Sequence, residues 1–323
     1  MSVINWQPSA SIETLRTRAQ ILKTIRDFFV SRDVMEVETP LLCGTSVTDP
    51  FIQSIPALFQ SQPHGSEQRY YLQTSPEYAM KRLLAAGYGA IFQISKAFRQ
   101  SEIGRFHNPE FTLIEWYRPG FDHHALMDEM DALLQTVLKT QAAERKSYLD
   151  VFTQHLHLNP HNVTVDELIA CATYNHISVA LDSKDRDTWL QLLMSDYIEP
   201  RIGQDRPCFI YDFPASQAAL ARIQPGNPPV ASRFEVYFRG IELANGFHEL
   251  QDANEQRNRF KKNQSTREQL GLNQMVIDEF FLSALTQGLP DCAGVALGID
   301  RLIMLASNSN SIADVLSFDF ARA

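Results

Sequence analysis

Cysteine is scarce and scattered in this 323-residue chain: Cys43, Cys171, Cys208 and Cys292 form no CxxC pair and no Cys/His cluster. Neither a structural zinc nor a disulfide framework is expected, and a reducing cytoplasm fits that usage. No apolar run of the roughly 18 residues that span a bilayer occurs. The N-terminal stretch MSVINWQPSASIETLRTR also lacks a basic segment followed by an apolar one, so neither export nor membrane insertion is expected. Positive charge is in deficit as well. The 29 Lys and Arg against 38 Asp and Glu leave a net −9, which argues against general affinity for phosphate backbones and leaves room for local basic patches. Repeats and low-complexity linkers are missing too. With 44% hydrophobic and 21% charged residues, the composition is that of an ordinary folded protein.

The patterning that is present reads as an α+β chain. Ile12, Leu15, Ala19, Leu22, Ile25 and Phe29 put one apolar stripe on a helix, and Val34 to Pro40 alternates as a strand stopped by proline. Strands are expected at Ile91 to Arg99 and at Phe111 to Arg118. In the second of these, Phe111, Leu113, Glu115 and Tyr117 share a face. The polar stretch Gln100 to Glu110 between them exceeds an ordinary hairpin loop, and over-long loops in compact domains are disproportionately functional. A helix follows over His123 to Lys139, and Thr164 with Glu167 offers a capping box for another. Residues 207 to 214 read as a strand. Residues 223 to 232 read as a turn-rich loop, the one weak boundary candidate.

From Arg233 to Leu250 the sequence RFEVYFRGIELANGFHEL alternates again, with Arg239-Gly240 as a two-residue turn. That turn pairs Tyr237 with Glu242. It therefore sets Glu235 on the same face as Glu242 and diagonally across, about 7 to 8 Å away. Two carboxylates so placed repel unless a cation sits between them. The chain ends in a glycine-spaced strand, Gly294 to Gly298, and the apolar helix IDRLIMLA.

Each candidate taken singly has an ordinary explanation. Arg99 at a strand end is by default a surface residue, His107 a turn residue, Asn245-Gly246 a tight turn, and the glycines before Asp300-Arg301 a packing device. The order of the features changes the reading. The first helix and strand resemble motif 1 of the class II aminoacyl-tRNA synthetases, FRQSEIGRFHNPEF with FTLIEWY resembles motif 2, and GVALGIDRLIML resembles motif 3. The match is to the lysine branch, through TSPEY (Thr74 to Tyr78), HNPEF (His107 to Phe111), IELANGFHEL and LGIDR. It runs in co-linear order from about residue 12 to residue 318.

Three departures accompany the match. Motif 1 begins almost at Met1, which leaves no space for the N-terminal anticodon-reading domain of lysyl-tRNA synthetases, and a tRNA acceptor is not expected. Ala296 stands where those enzymes have glycine in motif 3. Both features are similar to the short bacterial paralogues within the family that attach (R)-β-lysine to a lysine of translation elongation factor P. The third is Ser101, which occupies an acidic position of motif 2, with Glu102 beside it.

The resemblance implies a single class II catalytic domain over residues 1 to 323, an antiparallel sheet flanked by helices, ATP and Mg²⁺ as cofactors, and a homodimer through motif 1. It implies Arg99 and Arg301 as the catalytic phosphate and carboxylate clamps. Gln100, Ser101, His107, Asn108, Phe111, Glu242, Leu243 and Gly298 would surround the nucleotide, and Glu235 with Glu242 would hold the metal. Ser75, Glu77, Glu115, Tyr117, Asn245, Glu249 and Ala296 would receive the amino acid. Other readings stay open from the residues alone: a shortened lysyl-tRNA synthetase, a synthetase-like regulatory module without catalysis, and a free-standing amide ligase on the same fold.

Overall fold

The computed structural model describes residues 6–60, 66–177 and 183–323. The first five residues of the N-terminal stretch lie outside the described residues. Its strands are β1 (Met35–Glu36), β2 (Leu42–Cys43), β3 (Pro56–Gln60), β4 (Glu67–Leu72), β5 (Ile91–Phe98) and β6 (Glu110–Pro119). Then come β7 (Glu144–Ser147), β8 (Cys208–Pro214), β9 (Ile223–Gln224), β10 (Val230–Phe238), β11 (Ile241–His248) and β12 (Cys292–Gly298). The α-helices are α1 (Ile12–Val30), α2 (Glu77–Ala85), α3 (His123–Leu138), α4 (Tyr148–Leu156) and α5 (Val165–Tyr174). They continue as α6 (Arg186–Leu193), α7 (Ala253–Gln269), α8 (Glu279–Gly288) and α9 (Ile299–Ala306).

The chain divides into two compact units. One comprises residues up to Gly120 with Gln251–Cys292 and Ala296–Ala323, the other Phe121–Leu250 with Ala293–Val295. No boundary falls in 223–232. Part of that segment is strand, because Ile223 and Gln224 pair with Ala231 and Val230.

In the first unit, β5 and β6 form the expected hairpin, antiparallel from Ile91↔Tyr117 to Phe98↔Glu110. Their alternation sorts the residues by face. Phe92 and Trp116 turn toward α1, where Phe29 stacks on Phe92 at 4.8 Å and meets Trp116 at 5.1 Å between ring centroids. Each such buried ring contributes about 1.5 to 3 kcal/mol by leaving water. Ser11 starts α1 by accepting from Thr14 N at 3.1 Å, and the helix buries Ile21, Ile25, Phe28 and Phe29. The apolar stripe is thus core only in its second half, since Ile12 is 59% exposed and Ala19 is exposed too. The expected strand from Val34 to Pro40 shrinks to β1, which runs parallel to β5. An edge segment has a ladder partner on one side only, so alternation alone does not prolong it. β2, β4 and β3 make a separate small sheet.

The second unit stacks β11, β10, β8 and β7 in that order, with β7 parallel to β8 and β8, β10 and β11 antiparallel. The expected antiparallel sheet flanked by helices is therefore present, modified by parallel pairs at β1/β5 and β7/β8. Its core packs Tyr148 and Phe152 of α4 and Trp189 and Leu190 of α6 with Ile210 of β8 and Tyr237 of β10. Thr164 and Glu167 form the capping box read from the sequence.

Candidate active site

The long loop between β5 and β6 is tied at its base and pinched at its tip. Arg99 N donates to Pro109 O at 2.9 Å, Gln100 N to Gln53 O at 2.8 Å, and Gly104 N to His107 O at 3.1 Å. Ser101 takes a left-handed backbone with φ +66°, and Glu102 lies beside Arg99, with Oε1 3.6 Å from Nη1. The Arg99 guanidinium lies 5.1 Å over the Phe111 ring, a cation–π arrangement that fixes its plane. Its Nε is a buried donor with no partner. A sealed guanidinium N–H without an acceptor fits an incoming anion, phosphate or carboxylate.

Arg301, on α9, faces the same loop. Its Nε donates to Phe106 O at 3.2 Å and its Nη2 lies 2.7 Å from His107 Nε2. A guanidinium only donates, so His107 Nε2 accepts and its proton sits on Nδ1. Burial, then the Arg301 charge, holds the His107 pKa below its ordinary value. Asn108 is committed within the fold: its Nδ2 donates to Glu110 O at 2.6 Å, and its Oδ1 accepts from Phe320 N at 3.0 Å. That leaves one N–H and one lone pair for the adenine role expected of it. On β12, Ala296 and Gly298 are half-buried and alternate with the buried Val295 and Leu297, so the Ala296 methyl and Gly298 share the more open face.

The face of Glu115 and Tyr117 is also built as expected. Tyr117 donates its hydroxyl to Glu115 Oε1 at 2.6 Å, and both residues are 2% exposed. Across the hairpin from Glu115 stands Gln93. Ser75 lies just before α2, and Glu77 opens that helix. Glu77 Oε1 accepts from the buried Lys81 Nζ at 2.6 Å, so an internal ammonium holds the carboxylate expected to meet the amino acid's near amine.

In the second unit, Arg239 and Gly240 form the turn with φ +52° and +72°, the two positive values of a type I′ hairpin. Tyr237 pairs with Glu242 as read from the sequence, but a bulge at Leu243 then shifts the register, giving Val236↔Ala244 and Glu235↔Asn245. Asn245-Gly246 is therefore strand and not a turn. The bulge puts Asn245 opposite Glu235, and Asn245 Nδ2 lies 3.4 Å from Glu235 Oε1. Arg233 and Tyr237 also donate to the Glu235 carboxylate, and Arg233 Nε donates to Asn245 Oδ1 at 3.2 Å.

These bonds show what surrounds one member of the expected metal pair. The guanidinium of Arg233 lies against the Glu235 carboxylate. Among the described residues no group of three or more His, Cys, Asp or Glu could hold a metal. Glu242 is half-buried on the same hairpin face, and Glu249, 1% exposed, follows β11.

This arrangement defines the class of protein: the chain belongs to the class II tRNA synthetases (D, K and N), whose family model matches residues 2–322. Within that class it is 54% identical to the elongation factor P–(R)-β-lysine ligase of Vibrio cholerae, over 100% of both chains. The ligase of the same name from Pseudoalteromonas translucida is 53% identical over 100% of both chains, and that of Salmonella paratyphi B 52% identical over 98% of each.

Four residues that position the site escaped the sequence reading: Gln93, Arg233, Lys81 and Arg18. Lys81 follows Glu77 by one helical turn, a spacing visible in the sequence. Gln93 needed the β5–β6 register and Arg233 the bulge. Arg18 carries no local signal.

Proposed function

We propose that the protein activates (R)-β-lysine with ATP and transfers it to a lysine side chain of translation elongation factor P. The observation that carries activation is the sealed, unpartnered Arg99 donor beyond one end of a strand hairpin whose same face carries the buried Glu115–Tyr117 pair. The choice of isomer and of acceptor rests on the names of the full-length relatives.

In the first step a carboxylate oxygen of the amino acid attacks the α-phosphorus, and pyrophosphate leaves. Both reactants are anions, so alignment and positive charge matter more than proton transfer. Arg99 opposes the α-phosphate and the carboxylate, and Arg301, with its plane set by Phe106 and His107, opposes the γ-phosphate end. Gln100, Ser101, Asn108, Phe111 and Gly298 shape the nucleotide environment. Mg²⁺ would supply charge neutralisation at the phosphates and often takes only one or two carboxylates; Glu235 and Glu242 are the residues that would hold it. Tyr117, with Glu115 bonded to it, receives the far ammonium of the substrate, and Glu77, with Ser75 before it, the near one. In the second step the unprotonated ε-amine of the acceptor lysine attacks the activated carbonyl, an amide forms and AMP leaves.

No helix among the described residues is long and apolar enough to cross a membrane, and all four cysteines are free, which supports the cytoplasmic reading. Ile12, Val30 and Met35 are 59%, 70% and 46% exposed, which supports a homodimer through α1 and β1.

The test is incubation with ATP, lysine isomers, elongation factor P and tRNA, followed by mass spectrometry. One β-lysyl group on a lysine of elongation factor P is expected, and aminoacylated tRNA in its place would favour the shortened synthetase. Arg99→Ala should abolish amino-acid-dependent pyrophosphate exchange, since losing one such donor costs about 2.7 to 4 kcal/mol in the transition state.

A further inference from the structure

Gln93 is 2% exposed, and its Oε1 is buried without a hydrogen-bond partner. Buried acceptors are rarely left so, because each forfeits the water it had in the unfolded chain. The residue shares its strand face with Glu115 and Tyr117. It stands directly across β5–β6 from Glu115, on the face that carries Tyr117 and opposite the face where Phe92 packs on α1. An acceptor in that company lacks only a donor.

We propose that Gln93 Oε1 accepts a hydrogen bond from the far ammonium of the substrate, and so is a specificity-determining residue for a diamino acid. The proposal rests on the activation reading above and adds a residue to it. Distance along the hairpin supports the assignment. The Arg99 guanidinium lies over Phe111, whose cross-strand partner is Ala97. From Ala97 back to Gln93 is four residues, roughly 13 Å at strand rise. A six-bond chain from carboxylate carbon to terminal nitrogen spans about 7.5 Å when extended. With a charge-assisted hydrogen bond of about 2.8 Å at each end, such a chain is of the same order as the backbone span between these positions. Arg99 thus marks the carboxylate end and Gln93 the ammonium end of one extended substrate.

The chemistry makes a distinctive demand. α-Lysine and β-lysine differ in the amine near the carboxylate and share the far one at the same separation. Replacing Gln93 should therefore weaken both isomers by one factor, whereas a change near the carboxylate alters their ratio. An analogue without the far amine, 3-aminohexanoate, should not notice the replacement.

The experiment measures amino-acid-dependent pyrophosphate exchange for wild type, Gln93→Met and Gln93→Glu, with thermal melts to verify folding. Gln93→Met removes an orphaned polar atom from a buried site and should melt no lower than wild type. It should raise KM roughly 10- to 100-fold for both lysine isomers, the range expected for a lost hydrogen bond to a charged group. KM for ATP and for 3-aminohexanoate should not change. Gln93→Glu keeps an acceptor and should retain diamino acid binding. Unchanged KM for the lysine isomers in folded Gln93→Met would overturn the proposal, as would an equal rise for 3-aminohexanoate or for ATP. Failure of the wild type to activate any diamino acid would instead overturn the activation reading, and the ammonium role with it.

Discussion

Arg18 on α1 and Asp300 on α9, 282 positions apart, form an ion pair at 2.6 Å in which the Asp300 side chain is only 2% exposed. The pair reaches a third element. Arg18 Nη2 donates to Thr112 Oγ1 at 2.9 Å, and Thr112 N donates to Asp300 Oδ2 at 2.7 Å. The helix of motif 1, the strand of motif 2 and the helix of motif 3 are thus bound through two charged side chains, immediately before Arg301 in the chain. Arg18→Met should destabilise the protein by about 3 to 5 kcal/mol, because it strands a buried carboxylate. Urea unfolding of the two proteins checks this, and a loss within 0.5 kcal/mol, the scale of an ordinary surface change, would show that the pair is not structural.

Gly246 has no room for a side chain. A Cβ there would overlap the ring of Phe234, its cross-strand partner, and stand 3.0 Å from Val295 Cβ. Since Phe234 is wholly buried, the ring cannot swing into solvent. Gly246→Ala should cost about 1 to 3 kcal/mol by overpacking, read as a lowered urea midpoint with the slope unchanged.

Acid should destabilise the fold from mildly acidic pH. His107, His124, His155 and His161 all have pKa values held below 6.5, in each case chiefly by burial. The unfolded chain then binds more protons than the folded one as pH falls below about 6.5, so stability present above that value is lost progressively through the lower folded values. Urea midpoints at pH 7.5, 6.5 and 5.5 should decrease in that order. A flat series would contradict the burial of these rings.

Ala296 should steer the choice between lysine isomers. Its methyl lies on the more open face of β12 with Gly298, and on the proposed reading it meets the substrate near its amine, which a β-amino acid carries one carbon further from the carboxylate than an α-amino acid does. One methylene's worth of space is worth about 1 to 3 kcal/mol, or roughly 10- to 200-fold. Ala296→Gly should therefore improve α-lysine relative to β-lysine in pyrophosphate exchange. An unchanged ratio would mean that the methyl does not touch the substrate.

The amino-acid order by itself determined what depends on near neighbours. The β5–β6 hairpin and its long loop, the face shared by Glu115 and Tyr117, the Arg239-Gly240 turn and the cap at Thr164 follow from period-two alternation, turn chemistry and capping, all of which act within a few residues. The motif order was equally legible, because TSPEY, HNPEF and ELANGFHEL are contiguous strings. Tertiary structure decided the rest. Val34 to Pro40 had the pattern of a strand but found a ladder for only two residues. A one-residue bulge at Leu243 set Asn245 against Glu235, and Arg233, two residues before Glu235, donates to that carboxylate. Arg18 meets Asp300 only when the two ends of the chain come together. Gln93 looked like any polar strand residue until the register placed it across from Glu115, since burial and the lack of a partner belong to the packed structure and to no stretch of sequence.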